Sequence, residues 1–200
     1  MGEQPDVSIE NILNPDGVVL VCLNLSNENF MDIFSKMETI TAFNYLLPEI
    51  DKAGIPVRFI YTTEPKREAK FNSYVSGKHE RRKNGMAPSS GMDAQYSGQF
   101  SSILPGGNDP IEVANSIDMF DGTTLVELLG ENRRTVMVTG FFAEREVLFN
   151  ALSALNRGYF TVVVSDAVST YSERIYYQAL EIMSRSVEVI DTRDLMRIWA

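Results

Sequence analysis

The sequence predicts an α/β fold in which a parallel β-sheet is covered by helices on both faces. Six short apolar runs rich in β-branched residues recur along the chain, and most are separated by helix-length segments with a 3.6-residue apolar period. The runs are mostly continuous rather than alternating with polar residues, as in parallel strands that helices cover on both faces. The predicted strands are Val18–Leu23, Pro56–Tyr61, Ile111–Val113, Thr135–Thr139, Tyr159–Ser165 and Val187–Ile190.

The helices are predicted in the intervals between these strands. Apolar residues recur at helical spacing from Phe34 to Leu47, and Gly54 supplies a C-terminal stop before the second strand. A short helix is predicted over Leu125–Leu129, and another follows the strand that ends at Val138-Thr139-Gly140. The last predicted helix begins at Ser172, whose hydroxyl suits an N-cap.

The segment 62–105 is predicted to be a long irregular excursion from the sheet. It has no apolar periodicity and is rich in Gly, Ser, Pro and Asn, so a lid, a binding surface and disorder are the alternatives. The part from 66 to 83 holds seven of the 18 basic residues. These residues are interpreted either as a docking patch for an acidic partner or an anionic ligand, or as a solvated face of a loop. These residues are Lys66, Arg67, Lys70, Lys78, Arg81, Arg82 and Lys83.

Length and composition limit the classes of function. A chain of 200 residues with 44% hydrophobic content fits a single domain over 1–200, and its net charge of −9 argues against nucleic acid or an anionic membrane as a partner. Cys22 is the only cysteine, so no intramolecular disulfide is predicted, and His79 is the only histidine, so no metal site or other cofactor is expected. The N-terminus does not resemble a signal peptide, and no apolar run approaches the roughly 18 residues that span a bilayer, so we expect a cytoplasmic protein.

Three segments carry a family pattern. They are the end of the first strand with Asn24-Leu25-Ser26-Asn27-Glu28, the segment 118–125, and Val138-Thr139-Gly140 with the following helix and Ser165-Asp166-Ala167. In this order they resemble the isochorismatase-like hydrolase family, which includes nicotinamidases and related amidases. The resemblance implies a three-layer, doubly wound α/β/α fold with a mostly parallel six-stranded sheet and a site at the carboxyl ends of the strands. It also implies a homo-oligomer, either a dimer or a tetramer.

The resemblance further implies where the catalytic residues would lie. The family uses an Asp after the first strand, a Lys after the third strand, and a Cys six residues after the Val-Thr-Gly glycine. The Asp takes the thiol proton, the Lys supplies positive charge, and the Cys attacks a carbonyl or nitrile carbon. The matching motifs place these positions at Asn24, Ala114 and Glu146, with Asn115 as the alternative to Ala114. An amide, a methyl group and a carboxylate cannot perform those steps, so the triad is substituted.

Three phenylalanines are the predicted substrate-binding residues: Phe120, Phe141 and Phe142. The pair Phe141-Phe142 stands at a turn that in the family carries a cis peptide and presents backbone N–H groups to the substrate oxygen. Its peptide bond is left open as cis or trans. Rings that plugged the pocket would count against any catalysis.

Two hypotheses on function follow. The first is a silent or altered member of the family, retained for binding a small molecule or for assembly. The second is an active hydrolase of an amide, a nitrile or a vinyl ether, in which Glu146, Glu28 or Asp118 acts as a base and water is the nucleophile. Alternatively, Glu146 only stabilises the first turn of its helix, and Asn24 only caps the loop after the first strand.

Overall fold

The computed structural model describes residues 8–64, 71, 73, 74, 77 and 93–200. In this part of the chain, six strands form one sheet in the order β3-β2-β1-β4-β5-β6, and all of its neighbouring strands are parallel. The strand order reverses between β1 and β4, which is where doubly wound sheets form their ligand crevice. The strands are β1 Val18–Leu23, β2 Val57–Tyr61, β3 Ile111–Val113, β4 Thr135–Phe141, β5 Phe160–Ser169 and β6 Glu188–Ile190.

Helices cover both faces of this sheet. A 3-10 turn at Pro15–Gly17 precedes β1, and a π-helical turn at Ala143–Val147 leads directly into the helix after β4. The described α-helices are α1 Ile9–Ile12, α2 Asn27–Asp32, α3 Lys36–Lys52, α4 Asp93–Phe100, α5 Leu125–Leu129, α6 Leu148–Asn156, α7 Glu173–Met183 and α8 Thr192–Trp199. None of the helices in the described residues is both long enough and apolar enough to cross a membrane.

Strand β1 separates two hydrophobic clusters, because successive side chains of a strand point to opposite faces. Its even-numbered residues pack with α3, α4 and α8 on one side, which we call the first face. Its odd-numbered residues pack with α5, α6 and α7 on the other side, the second face. This three-layer arrangement confirms the predicted fold class, and the sheet is wholly rather than mostly parallel.

All six predicted strands are present, and β4 and β5 continue beyond their predicted ends. The prediction ended β5 at Ser165 because polar residues follow. In the structure these residues have hydrogen-bond partners, since Ser165 Oγ donates to the carbonyl of Ile190 at 3.3 Å and Asp166 accepts the backbone N–H of Thr192 at 3.0 Å. A satisfied polar side chain can continue a strand that composition alone would end.

The predicted excursion at 62–105 contains one regular element. Helix α4 ends at Phe100, whose ring stacks on Phe30 of α2 with centroids 3.9 Å apart. The prediction of irregular structure was therefore wrong for 93–100, because this helix depends on a tertiary contact and not on a strong apolar period. The seven basic residues of 66–83 and His79 lie outside the described residues.

Candidate functional site

The carboxyl ends of β1 and β4 meet at Gly140. This residue pairs with Leu23 and has φ +104°. A Cβ at this position would lie 2.0 Å from the carbonyl oxygen of Leu23, so only glycine allows the two backbones to approach this closely. The residues that follow the two strands are thereby brought to one edge of the sheet.

Asn24 joins the end of β1 to the end of β2. Its side-chain oxygen accepts the backbone N–H of Thr62, and its side-chain nitrogen donates to the Thr62 hydroxyl, both at 2.9 Å. Its own carbonyl accepts from the side chain of Asn29 at 2.8 Å, and its φ of 54° is one that Asn tolerates better than most residues. The amide thus joins the ends of two strands, through a partner 38 residues away along the chain.

Ala114 follows β3 directly and is buried. Its N–H donates to the carbonyl of Tyr61 at 2.9 Å, and its carbonyl accepts from the Thr63 hydroxyl at 2.8 Å. The side chain of the alternative residue, Asn115, lies over Gly122 so closely that a Cβ there would meet its amide nitrogen at 2.1 Å. Neither residue supplies a positive charge at this strand end.

Glu146 lies in the π-helical turn after β4 and is only 4% exposed. One carboxylate oxygen accepts the backbone N–H of Phe142 at 3.3 Å, and the other lies 3.2 Å from Nε of Arg145. Burial raises the pKa of Glu146 above its ordinary value, and Glu144 adds to this rise. Arg145 and the backbone N–H groups of Phe142 and Glu146 act in the opposite direction.

Among the described residues, Arg145 contributes a cation to the site, and it is not a residue that the sequence analysis matched to the family's Lys. Its guanidinium pairs with Glu64 after β2 as well as with Glu146. On the neighbouring residue, the Glu144 carboxylate accepts from the hydroxyl of Thr170 at the end of β5. The π-helical turn is therefore joined to two strand ends by charged side chains, and π-turns of this kind are frequent at functional sites.

Tyr171 forms an aromatic wall beside the carboxylates. Its ring stacks on Phe142 with centroids 4.2 Å apart and planes 14° apart. Burial raises the pKa of the Tyr171 hydroxyl above its ordinary range, and the negative charges of Asp32, Glu146 and Glu144 raise it further. Sequence reasoning missed Tyr171 as a site residue because no motif marks it.

The three predicted substrate-binding phenylalanines are not brought together. Phe141 is fully buried on the first face, and Phe142 follows it through a cis peptide bond. Phe120 lies on the second face, where its ring stacks on Tyr159 at 5.9 Å and Arg157 lies over it at 4.5 Å. The sheet thus lies between Phe120 and the other two rings.

The other two acids considered as bases have different surroundings from those of Glu146. Glu28 is exposed in the first turn of α2. Asp118 pairs with Arg157 at 2.8 Å and accepts from the hydroxyl of Ser153 at 3.1 Å. Of the three candidate bases, only Glu146 is buried among the residues that follow β4.

The family of this chain follows from its match to the isochorismatase domain, which extends over residues 18–194. The chain belongs to the isochorismatase family. Solved structures agree in fold: an isochorismatase family protein from Desulfovibrio vulgaris subsp. vulgaris str. Hildenborough is 18% identical with a TM-score of 0.67, and the match covers 92% of this chain and 98% of that one. Among curated proteins, none matches this chain significantly.

Two further solved structures share this fold, and their names indicate different activities. The MAR1 ribonuclease from Caenorhabditis elegans is 20% identical over 90% of this chain and 79% of its own, with a TM-score of 0.64. The YcaC gene product of Escherichia coli, described as an octameric hydrolase of unknown specificity, is 16% identical over 94% of this chain and 79% of its own, with a TM-score of 0.59. At these identities the likeness shows a shared fold only.

The described part of this isochorismatase-family chain offers no ready metal centre. Among the residues that the structure describes, no group of three or more His, Cys, Asp or Glu side chains is placed to hold a metal ion.

Cys22 is fully buried in β1, and burial raises the pKa of its thiol to about 12, so it is not a substitute nucleophile.

We expect Glu146→Gln to stabilise the protein at neutral pH. Because the pKa of Glu146 is raised in the folded state, the neutral carboxyl favours folding. That contribution is present in full below the unfolded pKa and is lost as the pH rises through the folded pKa. Glutamine stays neutral and keeps an acceptor for the Phe142 N–H. Melting temperatures of variant and wild type should nearly coincide at about pH 4 and separate as the pH rises, with the variant higher.

The control for this measurement is Glu28→Gln. It removes the same charge from an exposed site, so it measures the effect of losing a carboxylate that is not buried. A wild type that is more stable than Glu146→Gln above neutral pH would contradict the direction assigned to this carboxyl.

Proposed function

We propose that this chain is a non-catalytic member of the isochorismatase family, retained for assembly, with small-molecule binding as the alternative use of the fold. The observation that carries the proposal is the position of the Glu146 carboxylate. It stands where the family motif has its Cys nucleophile, and it accepts the N–H of Phe142 at 3.3 Å. In the family, this turn offers its N–H groups to the substrate oxygen. A substrate carbonyl would have to displace a buried carboxylate from that donor.

The two other substituted positions support the same conclusion. Asn24 cannot take a thiol proton or protonate a vinyl ether, and its amide already bonds Thr62 through both polar atoms. Ala114 has no charge to offer. Loss of one member of a catalytic triad costs several orders of magnitude in rate, and here all three positions lack the required groups.

Assembly is the retained property that we propose. The YcaC gene product, which shares this fold, is described as octameric. The family resemblance of the sequence points to a homo-oligomer as well. Light scattering coupled to size exclusion would measure the mass of the assembly directly.

The catalytic part of the proposal is tested by an activity screen. Purified protein should be incubated with nicotinamide, other primary amides, nitriles and isochorismate, alongside an active cysteine hydrolase as a positive control. We expect no turnover above the uncatalysed rate, because Asn24, Ala114 and Glu146 lack the groups with which the family performs the acyl-transfer and proton-transfer steps. Turnover at a rate ordinary for enzymes, roughly 1–1,000 per second, would refute the proposal.

A hydrolase with a rebuilt carboxylate site is the second candidate, and one observation favours it. Burial raises the pKa of Glu146 above its ordinary value, and a buried carboxyl of this kind can serve as a general acid or base. If the screen finds turnover, Glu146→Gln separates the two cases. Activity that this variant abolishes supports the rebuilt site, whereas activity that survives it excludes Glu146 as the base.

A further inference from the structure

Helix α6 directs its small residues toward the sheet and its large apolar residues toward solvent. Its buried residues are Asn150, Ala151 and Ala154. Its outward residues Phe149, Leu152 and Leu155 remain 42%, 37% and 40% exposed. A surface helix normally buries its large apolar side chains and exposes polar ones, so this helix has the reverse arrangement. Such a face is usual where another protein surface covers it.

The outward apolar side chains lie on one side of the helix. Phe149, Leu152 and Leu155 recur at i, i+3 and i+6, a spacing that keeps them next to one another along the helix. No charged residue occurs in α6. On the adjoining α7, Ile182 and Tyr177 are also exposed, at 53% and 60%, so the second face carries apolar surface on two neighbouring helices.

We propose that this α6 face is where two copies of the chain meet, with the α6 helices antiparallel about a two-fold axis. The inference rests on the proposal that the chain assembles, and it names the surface. Two copies that each carry a charge of −9 repel one another, and a contact surface without charge adds nothing to this repulsion. The α6 row provides such a surface. A two-fold axis brings identical apolar rows together, and antiparallel helices also oppose their dipoles favourably.

The test introduces a charge into the middle of the row. Wild type should elute with a mass that is a multiple of 22.5 kDa, whereas Leu152→Glu should have half that mass or less. Because Leu152 is partly exposed and lies on the outward side, the variant should keep its circular dichroism spectrum and a cooperative melt. Tyr45→Glu is the matched control: it places the same charge at an exposed ring of α3, on the first face, and should keep the wild-type mass.

A cysteine cross-link tests the two-fold geometry independently. Because Cys22 is fully buried, Leu152→Cys introduces an accessible thiol at the middle of α6. Under mild oxidation this variant should form a disulfide-linked dimer on a non-reducing gel, and Tyr45→Cys should not. Absence of the Leu152→Cys dimer would overturn the two-fold pairing.

The outcomes distinguish the surface from the assembly itself. A monomeric wild type would overturn both this inference and the proposal of assembly. An assembled wild type whose mass is unchanged by Leu152→Glu would overturn only the choice of surface.

Discussion

Gly140→Ala should destabilise the protein so strongly that little folded material is recovered. The added Cβ would meet the carbonyl oxygen of Leu23 at 2.0 Å and its nitrogen at 2.7 Å, and the backbone φ of +104° is itself strained for alanine. These atoms belong to the backbone of β1, which has strands on both sides and cannot move aside. The expected loss is about 4 kcal/mol or more, measured by urea unfolding or by the yield of folded protein.

A second glycine separates the clash from the dihedral strain. Gly54 has φ +67°, and a Cβ there would meet nothing within 4 Å. Gly54→Ala should therefore lower the free energy of unfolding by only about 1–2 kcal/mol, the cost of placing alanine in a left-handed backbone conformation. If the two variants lost the same free energy of unfolding, the close contact between β1 and β4 would not be the cause.

Asn150→Ala should have the next largest effect. The Asn150 side chain is fully buried, donates to the carbonyls of Ile117 and Glu146 at 2.9 and 2.8 Å, and accepts the N–H of Met119 at 2.7 Å. Its removal leaves three backbone groups without this partner, and each buried group left unsatisfied costs about 1–3 kcal/mol. We expect a loss of about 3 kcal/mol or more in the free energy of unfolding from denaturant titration.

The matched control is Asn156→Ala, at an exposed position near the end of the same helix. It should change stability by no more than about 0.5 kcal/mol. A loss below about 1 kcal/mol for Asn150→Ala would show that water or a rearranged loop replaces the three hydrogen bonds.

These hydrogen bonds also bear on the candidate site. The Asn150 side chain links the loop before α5 to the backbone of Glu146, so it restrains the π-helical turn. The ion pair of Arg145 with Glu64 links the same turn to the end of β2. The backbone that carries Glu146 is therefore restrained by both contacts. A carboxylate held in this way suits a structural role, because it does not move aside readily for a substrate.

The strands and the fold class could be predicted from the sequence, and the three triad positions are a prediction from its motifs. Continuous apolar runs mark the central strands β1 and β4, in which every residue is buried, and the spacing from Gly140 to Glu146 is a local count that needs no coordinates. These features are local, so they can be counted along the chain. Helix α4 was not predicted, because it depends on the contact between Phe100 and Phe30, which lie far apart in the sequence.

The contacts of these side chains could not be predicted, because they depend on the tertiary structure. The amide of Asn24 finds its partners 38 residues away at Thr62, and the position of Arg145 beside Glu64 depends on how β2 and β4 align. The sequence likewise grouped Phe120 with Phe141 and Phe142, but the sheet separates them. Periodicity encodes which local residues are buried, whereas hydrogen-bond partners and sheet faces depend on the register of distant segments.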